Sequence, residues 1–172
     1  MCFPRYLQTD AVAVDVGSLK GDTTMKRLTW WFRAVGIFYV LLGIGFIPAL
    51  NAARLPMMVS NFDAPIGGAA YRALLDYTFM FGLEMMVVGG FLLYASRAPH
   101  RHLNLVWLIV WLELVRGIFD DMYMIARGYE PAVMLGFTAL HLIIIGTGVL
   151  FVRKVQRGTR EKVTGQLSLD RL

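Results

Sequence analysis

Apolar residues in this chain gather into runs at about 28–50, 73–96, 103–126 and 132–152, separated by short polar breaks. At roughly 1.5 Å of rise per residue, each run is long enough to cross a bilayer as a helix. The pattern predicts an all-α integral membrane protein: an antiparallel four-helix bundle over 26–153, its spans joined by short connections. Trp30 and Trp31 suit an interfacial aromatic belt, and Arg33 can snorkel from the end of the first span. Small residues mark faces where helices can approach: Gly36, Gly43 and Gly45 in the first run, Gly82, Gly89 and Gly90 in the second, and Gly136, Gly146 and Gly148 in the fourth. The longest break, 51–72, holds Pro56, Pro65, Gly67 and Gly68, but also Leu55, Met57, Met58 and Val59. Apolar residues in a loop are expected either to rest in the headgroups or to fold over the mouth of the bundle. Gly128 and Pro131 mark a turn between the third and fourth runs.

Composition agrees with this class. The chain is 57% hydrophobic, above the share typical of soluble domains. Its net charge of +5 does not point to nucleic acid, because the basic residues sit beside the apolar runs. Lys26, Arg27, Arg33, Arg97, Arg101 and the basic stretch from Arg153 to Lys162 fall on one side of a four-span arrangement. The positive-inside rule then puts both termini in the cytoplasm of an inner-membrane protein. Residues 1–25 read as a flexible tail, of which 1–24 could be a gene-start artefact. Residues 154–172 read as a basic cytoplasmic tail suited to anionic lipid or an acidic partner. The glycine faces permit a homodimer or a membrane-complex partner without requiring one. Cys2 alone supplies neither an internal disulfide nor a cysteine metal site.

Charge inside the apolar runs carries the candidate chemistry. The third run contains Glu113, Arg116, Asp120 and Asp121. Steps of three and four stack Glu113, Arg116 and Asp120 on one face of an α-helix. A charge facing lipid costs a few kcal/mol or more, so this stripe is expected to face protein or trapped water. Glu84 in the second run lies roughly 16 Å from its outer end, and His141 in the fourth roughly 14 Å. Arg116 at roughly 15 Å and Glu113 at roughly 20 Å complete a layer of ionisable groups. Arg116 is expected to neutralise Glu113 and Asp120, while Glu84 and His141 share a titrating proton. Loss of Arg116 would then leave buried acids uncompensated. The same network could serve only to fix helix register. No metal site is assigned, because the di-iron bundle pattern needs Glu-x-x-His, whereas Arg116 and Val87 stand three residues after Glu113 and Glu84. No phosphate loop, serine elbow or His-Glu-x-x-His occurs.

The four short spans, the acid in the second, the run Glu113-Leu-Val-Arg116-Gly117-Ile-Phe-Asp120-Asp121 in the third and His141 in the fourth resemble the BphX-like group of small bacterial membrane proteins. That group sits among broader DoxX-like four-helix proteins, and the likeness would cover about 26–153. It implies a four-helix inner-membrane protein, sometimes encoded beside oxygenase or other redox genes. No catalytic residues carry over. The expected function is non-enzymatic: an accessory protein handling a small ligand or protons at Glu84, Glu113, Arg116, Asp120 and His141, with the cofactor unknown. The alternative is a membrane subunit of an oxidoreductase system that binds a quinone or a metal there.

Overall fold

A computed structural model describes the backbone of residues 16–59 and 62–169, and the side chains of 23–59 and 62–158. Among the described residues all regular structure is helical. Helix α1 spans Val16–Gly45, and two single-turn helices follow, α2 at Pro48–Asn51 and α3 at Leu55–Met58. Helix α4 spans Ala69–Ala95, and a short turn at Pro99–Arg101 leads to α5, Leu103–Leu112. The chain then changes winding: Glu113–Phe119 forms a π-helix before α6, Asp120–Ala126. Helix α7 runs through Pro131–Leu169. Three helices are long and apolar enough to cross a membrane, at Thr23–Gly45, Ala69–Ala95 and Pro131–Gly158. The tail read over 1–25 lies partly outside the described residues, which begin inside it with α1. The side chains of Arg160 and Lys162 also lie outside them.

Helix α1 packs along α4 and against α7, and α7 also meets α5, the π segment and α6. Glycine sets the α1–α4 contact. Gly36 faces Gly89 and Gly43 faces Gly82, each so close that an added Cβ would meet the partner's carbonyl oxygen at 2.5–3.0 Å. Numbering rises along one helix as it falls along the other, so the two are antiparallel. The other glycines divide. Gly148 lies against Trp31 and Val106, and Gly45 lies against the guanidinium of Arg54, whereas Gly90, Gly136 and Gly146 meet open space. At those last three an added Cβ would meet nothing within 4 Å among the described residues.

The tightest core lies toward one end, where Leu28, Phe32, Val35, Leu92, Val106 and Val152 bury together. Trp31 Nε1 donates to Thr147 Oγ1 at 3.0 Å and links α1 to α7 there. At the opposite end, α2 and α3 fold over the start of α4. Leu55, Tyr71 and Leu75 bury together, Tyr71 Oη donates to Ala52 O at 2.8 Å, and Arg54 Nη1 donates to Gly45 O at 3.1 Å. The first residues of 51–72 are thus packed against the start of α4 and the end of α1.

The turn after α6 shows how local chemistry shapes this end. Gly128 has φ 90°, a conformation that favours glycine. Gly128 N donates to Ile125 O at 3.0 Å and Tyr129 N to Met124 O at 3.1 Å. This double closure is a Schellman motif, and it brings Tyr129 back beside Met124. Pro131 then opens α7, at a position where its missing N–H costs nothing.

Candidate functional site

The π-helical segment decides which charges meet. Its i→i+5 closure makes a wider turn than the 3.6 residues of an α-helix. Each residue therefore advances less around the axis, and a step of three no longer returns to the same face. Steps of four line up instead. Glu113, Gly117 and Asp121 are buried in succession, with Glu113 only 2% exposed, while Asp120 is exposed.

Glu113 is engaged at both oxygens. Its Oε1 accepts the hydroxyl of Tyr39, from α1, at 2.5 Å. Its Oε2 is hydrogen-bonded to Nδ1 of His141, from α7. The imidazole lies flat against the backbone of Gly117, where an added Cβ would stand 2.5 Å from its Cγ and Nδ1. Nε2, on the far edge of the ring, faces Asp121 Oδ2 at 3.8 Å, inside ion-pair range and just beyond a hydrogen bond. Thr138 Oγ1 lies 2.8 Å from that same Oδ2 and 3.1 Å from Met134 O, and its one proton serves either acceptor. The result is a chain of ionisable groups, Tyr39–Glu113–His141–Asp121, that draws on three separate stretches of sequence.

Glu84 and Arg116 form a second, separate pair. Arg116 Nη1 lies 2.6 Å from Glu84 Oε1, and its guanidinium stands 4.4 Å from the centre of the Phe81 ring. The side chains are 30% and 56% exposed, so this pair sits at the protein's surface rather than within it. Of the five residues expected at the site, the fold thus joins Glu113 to His141 and Arg116 to Glu84. Asp120 has no hydrogen bond or ion pair among the described residues. The expected pairing of Arg116 with Glu113 and Asp120 is replaced, because it assumed α-helical stacking through a stretch that winds as a π-helix. Nor does Glu84 share a proton with His141: Glu84 pairs with Arg116, and the acids beside His141 are Glu113 and Asp121.

Tyr39, Asp121 and Thr138 join the site without having been expected there. Asp121 had a signal: it stands eight residues after Glu113, with a glycine midway. Tyr39 had a weaker one, a polar aromatic in mid-run rather than at the interfaces where such residues gather.

Chemically the arrangement joins a carboxyl group to an imidazole through one hydrogen bond. The Glu113–His141 bond contains one proton that either partner can own. Tyr39 fixes the carboxylate without competing for that proton, since it donates to the other oxygen. The opposite ring nitrogen faces Asp121 at 3.8 Å, beyond hydrogen-bond distance. Among the described residues no three His, Cys, Asp or Glu side chains gather to hold a metal ion.

All these residues fall within a stretch that matches a known family. The model of the family described as BphX-like matches residues 25–157. Two relatives bearing the description "uncharacterized BphX-like protein", from Burkholderia cepacia and from Paraburkholderia xenovorans (strain LB400), are each 27% identical over 127 residues. The aligned part is 73% of this chain and 90% of each relative. No solved structure matches the chain at a significant level.

Proposed function

The chain belongs to the BphX-like family, and from that premise we propose that it is an inner-membrane protein in which Glu113, His141 and Asp121 take up and pass on protons. In this reading the helices cross the bilayer four times as an antiparallel bundle, with 103–126 as the remaining span and both termini in the cytoplasm. Leu41, Phe91, Trp111 and Ile143 support it. Each is 61% exposed, as lipid-facing side chains are and as side chains on a water-soluble surface rarely are in such number. The basic residues at one end of the helices support the orientation.

One observation carries the proton role. Glu113 is almost wholly buried and is shared between a phenol hydroxyl and an imidazole. An ionisable pair inside a bundle is a poor route to stability compared with apolar packing of similar volume. It supplies what apolar side chains cannot: a place for a proton at membrane depth, which marks proton relays in membrane proteins.

Proton flux into proteoliposomes tests this, with a trapped pH-sensitive dye and a potassium diffusion potential as the drive. Wild-type vesicles are expected to acidify at least several-fold faster than empty ones. Glu113→Gln and His141→Phe should fall back to the empty-vesicle rate, and Asp120→Asn should keep the wild-type rate. Wild-type vesicles no faster than empty ones, or Glu113→Gln as fast as wild type, would overturn the proposal.

A further inference from the structure

A cavity of about 440 Å³ lies beneath α2 and α3, apart from the proton chain. Its volume falls in the range of small-molecule sites, and its walls are mostly apolar, with Phe46, Leu74, Met124, Val133 and Phe137 among them. The Schellman turn described above delivers Met124 and Tyr129 to one wall, and the folded-over α2–α3 segment supplies the roof.

Among the described residues, one buried side-chain polar atom of this lining lacks a hydrogen-bond partner. Asn51, which is 0% exposed, donates from Nδ2 to Thr78 Oγ1 at 2.9 Å. Thr78 gives its own proton to Leu74 O or Leu75 O, at 2.9 and 3.0 Å. With that proton on a helix carbonyl, the Thr78 oxygen offers Asn51 lone pairs, which suits an amide nitrogen turned toward Thr78. Asn51 Oδ1 is then left buried with no hydrogen-bond partner among the described residues. A buried acceptor left unpaired is costly and uncommon, and it calls for a donor. The charged residues of the lining, Arg54 and Glu130, have opposite signs, so the cavity asks for no net charge. Arg54 is also occupied, by Gly45 O and Met58 Sδ.

We infer that this cavity binds an uncharged, largely apolar molecule bearing a hydroxyl, whose O–H donates to Asn51 Oδ1. The inference does not rest on the proton relay. It also selects among ligands of one shape: an alcohol or phenol satisfies Asn51, whereas an ether or ketone of the same outline brings a second acceptor against it.

The test uses 2-naphthol and 2-methoxynaphthalene, titrated by fluorescence into lipid nanodiscs with and without the full-length protein. After each probe is corrected for uptake by empty discs, 2-naphthol is expected to bind saturably and about tenfold more tightly than its methyl ether. Asn51→Leu should abolish that preference. Val133→Trp, which fills the cavity from its wall and leaves Asn51 intact, should weaken both probes. It also decides the matter if Asn51→Leu fails to fold. Equal uptake of the two probes would indicate ordinary lipid-like partitioning and overturn the inference. So would a preference that survives Asn51→Leu, or 2-naphthol binding unchanged by Val133→Trp.

Discussion

Replacing Gly43 by leucine is expected to pry α1 away from α4 and destabilise the protein by about 3 kcal/mol, at the upper end of overpacking losses. A Cβ at this position would stand 2.5 Å from Gly82 O and 2.6 Å from Met86 Cγ. A flexible side chain can step aside, but a helix carbonyl cannot without moving its helix. The reciprocal contact is as close, with a Cβ on Gly82 meeting Gly43 O at 2.8 Å. Gly36 and Gly89 repeat the arrangement two turns along, so the helices touch backbone to backbone at two points. Tyr39 lies between those points on α1. Forcing the helices apart therefore also withdraws the hydroxyl that holds Glu113. Gly90→Leu is the control, since a Cβ there meets nothing within 4 Å. Thermal unfolding in mild detergent should rank Gly43→Leu far below Gly90→Leu. Equal stability of the two would remove glycine contact as the basis of the α1–α4 interface.

The second large effect belongs to Glu113. Glu113→Leu should cost about 3 kcal/mol, because it strands the partners of a buried ionisable group. It leaves the Tyr39 hydroxyl and the His141 ring without the acceptor both of them use. The double replacement Glu84→Leu with Arg116→Leu removes more charge. It should nevertheless stay within about 1 kcal/mol of wild type, since it deletes both members of an exposed pair and strands neither. The sequence alone argues the other way, with Arg116 as the keystone. Unfolding measurements on the two variants separate the views, and a double variant less stable than Glu113→Leu would restore Arg116 to that place.

What could be read in advance follows from what periodicity encodes. Run length foretold the helices, because a stretch of apolar residues must satisfy its own backbone wherever water is scarce. Helical ends were less legible: α1 begins at Val16 and α7 continues to Leu169, both beyond their apolar runs. Facing was less legible again. A helix that is apolar all round hides its contact side, so Gly43 and Gly90 looked alike before the fold separated them. At the site, Glu113 and His141 were recognisable as ionisable residues at similar depth. Their partners were not, because Glu113–Phe119 winds as a π-helix rather than as the α-helix that the spacing assumes. Nothing in those residues, which include no proline, announces a π-helix. That one change of winding turns Arg116 away from Glu113, brings Asp121 to His141, and lays the His141 ring over Gly117, where any side chain would collide with it.

The contact between Glu113 and His141 is therefore the point on which the account stands, and solid-state NMR in lipid bilayers reads it directly. Protein labelled with carbon-13 and nitrogen-15 should show a correlation between the Glu113 carboxyl carbon and His141 Nδ1, and a separate one between the Glu84 carboxyl carbon and the Arg116 guanidinium. A correlation linking Glu113 to Arg116, with none to His141, would show an α-helical stripe in place of the π-wound site and would contradict the proton chain built on it.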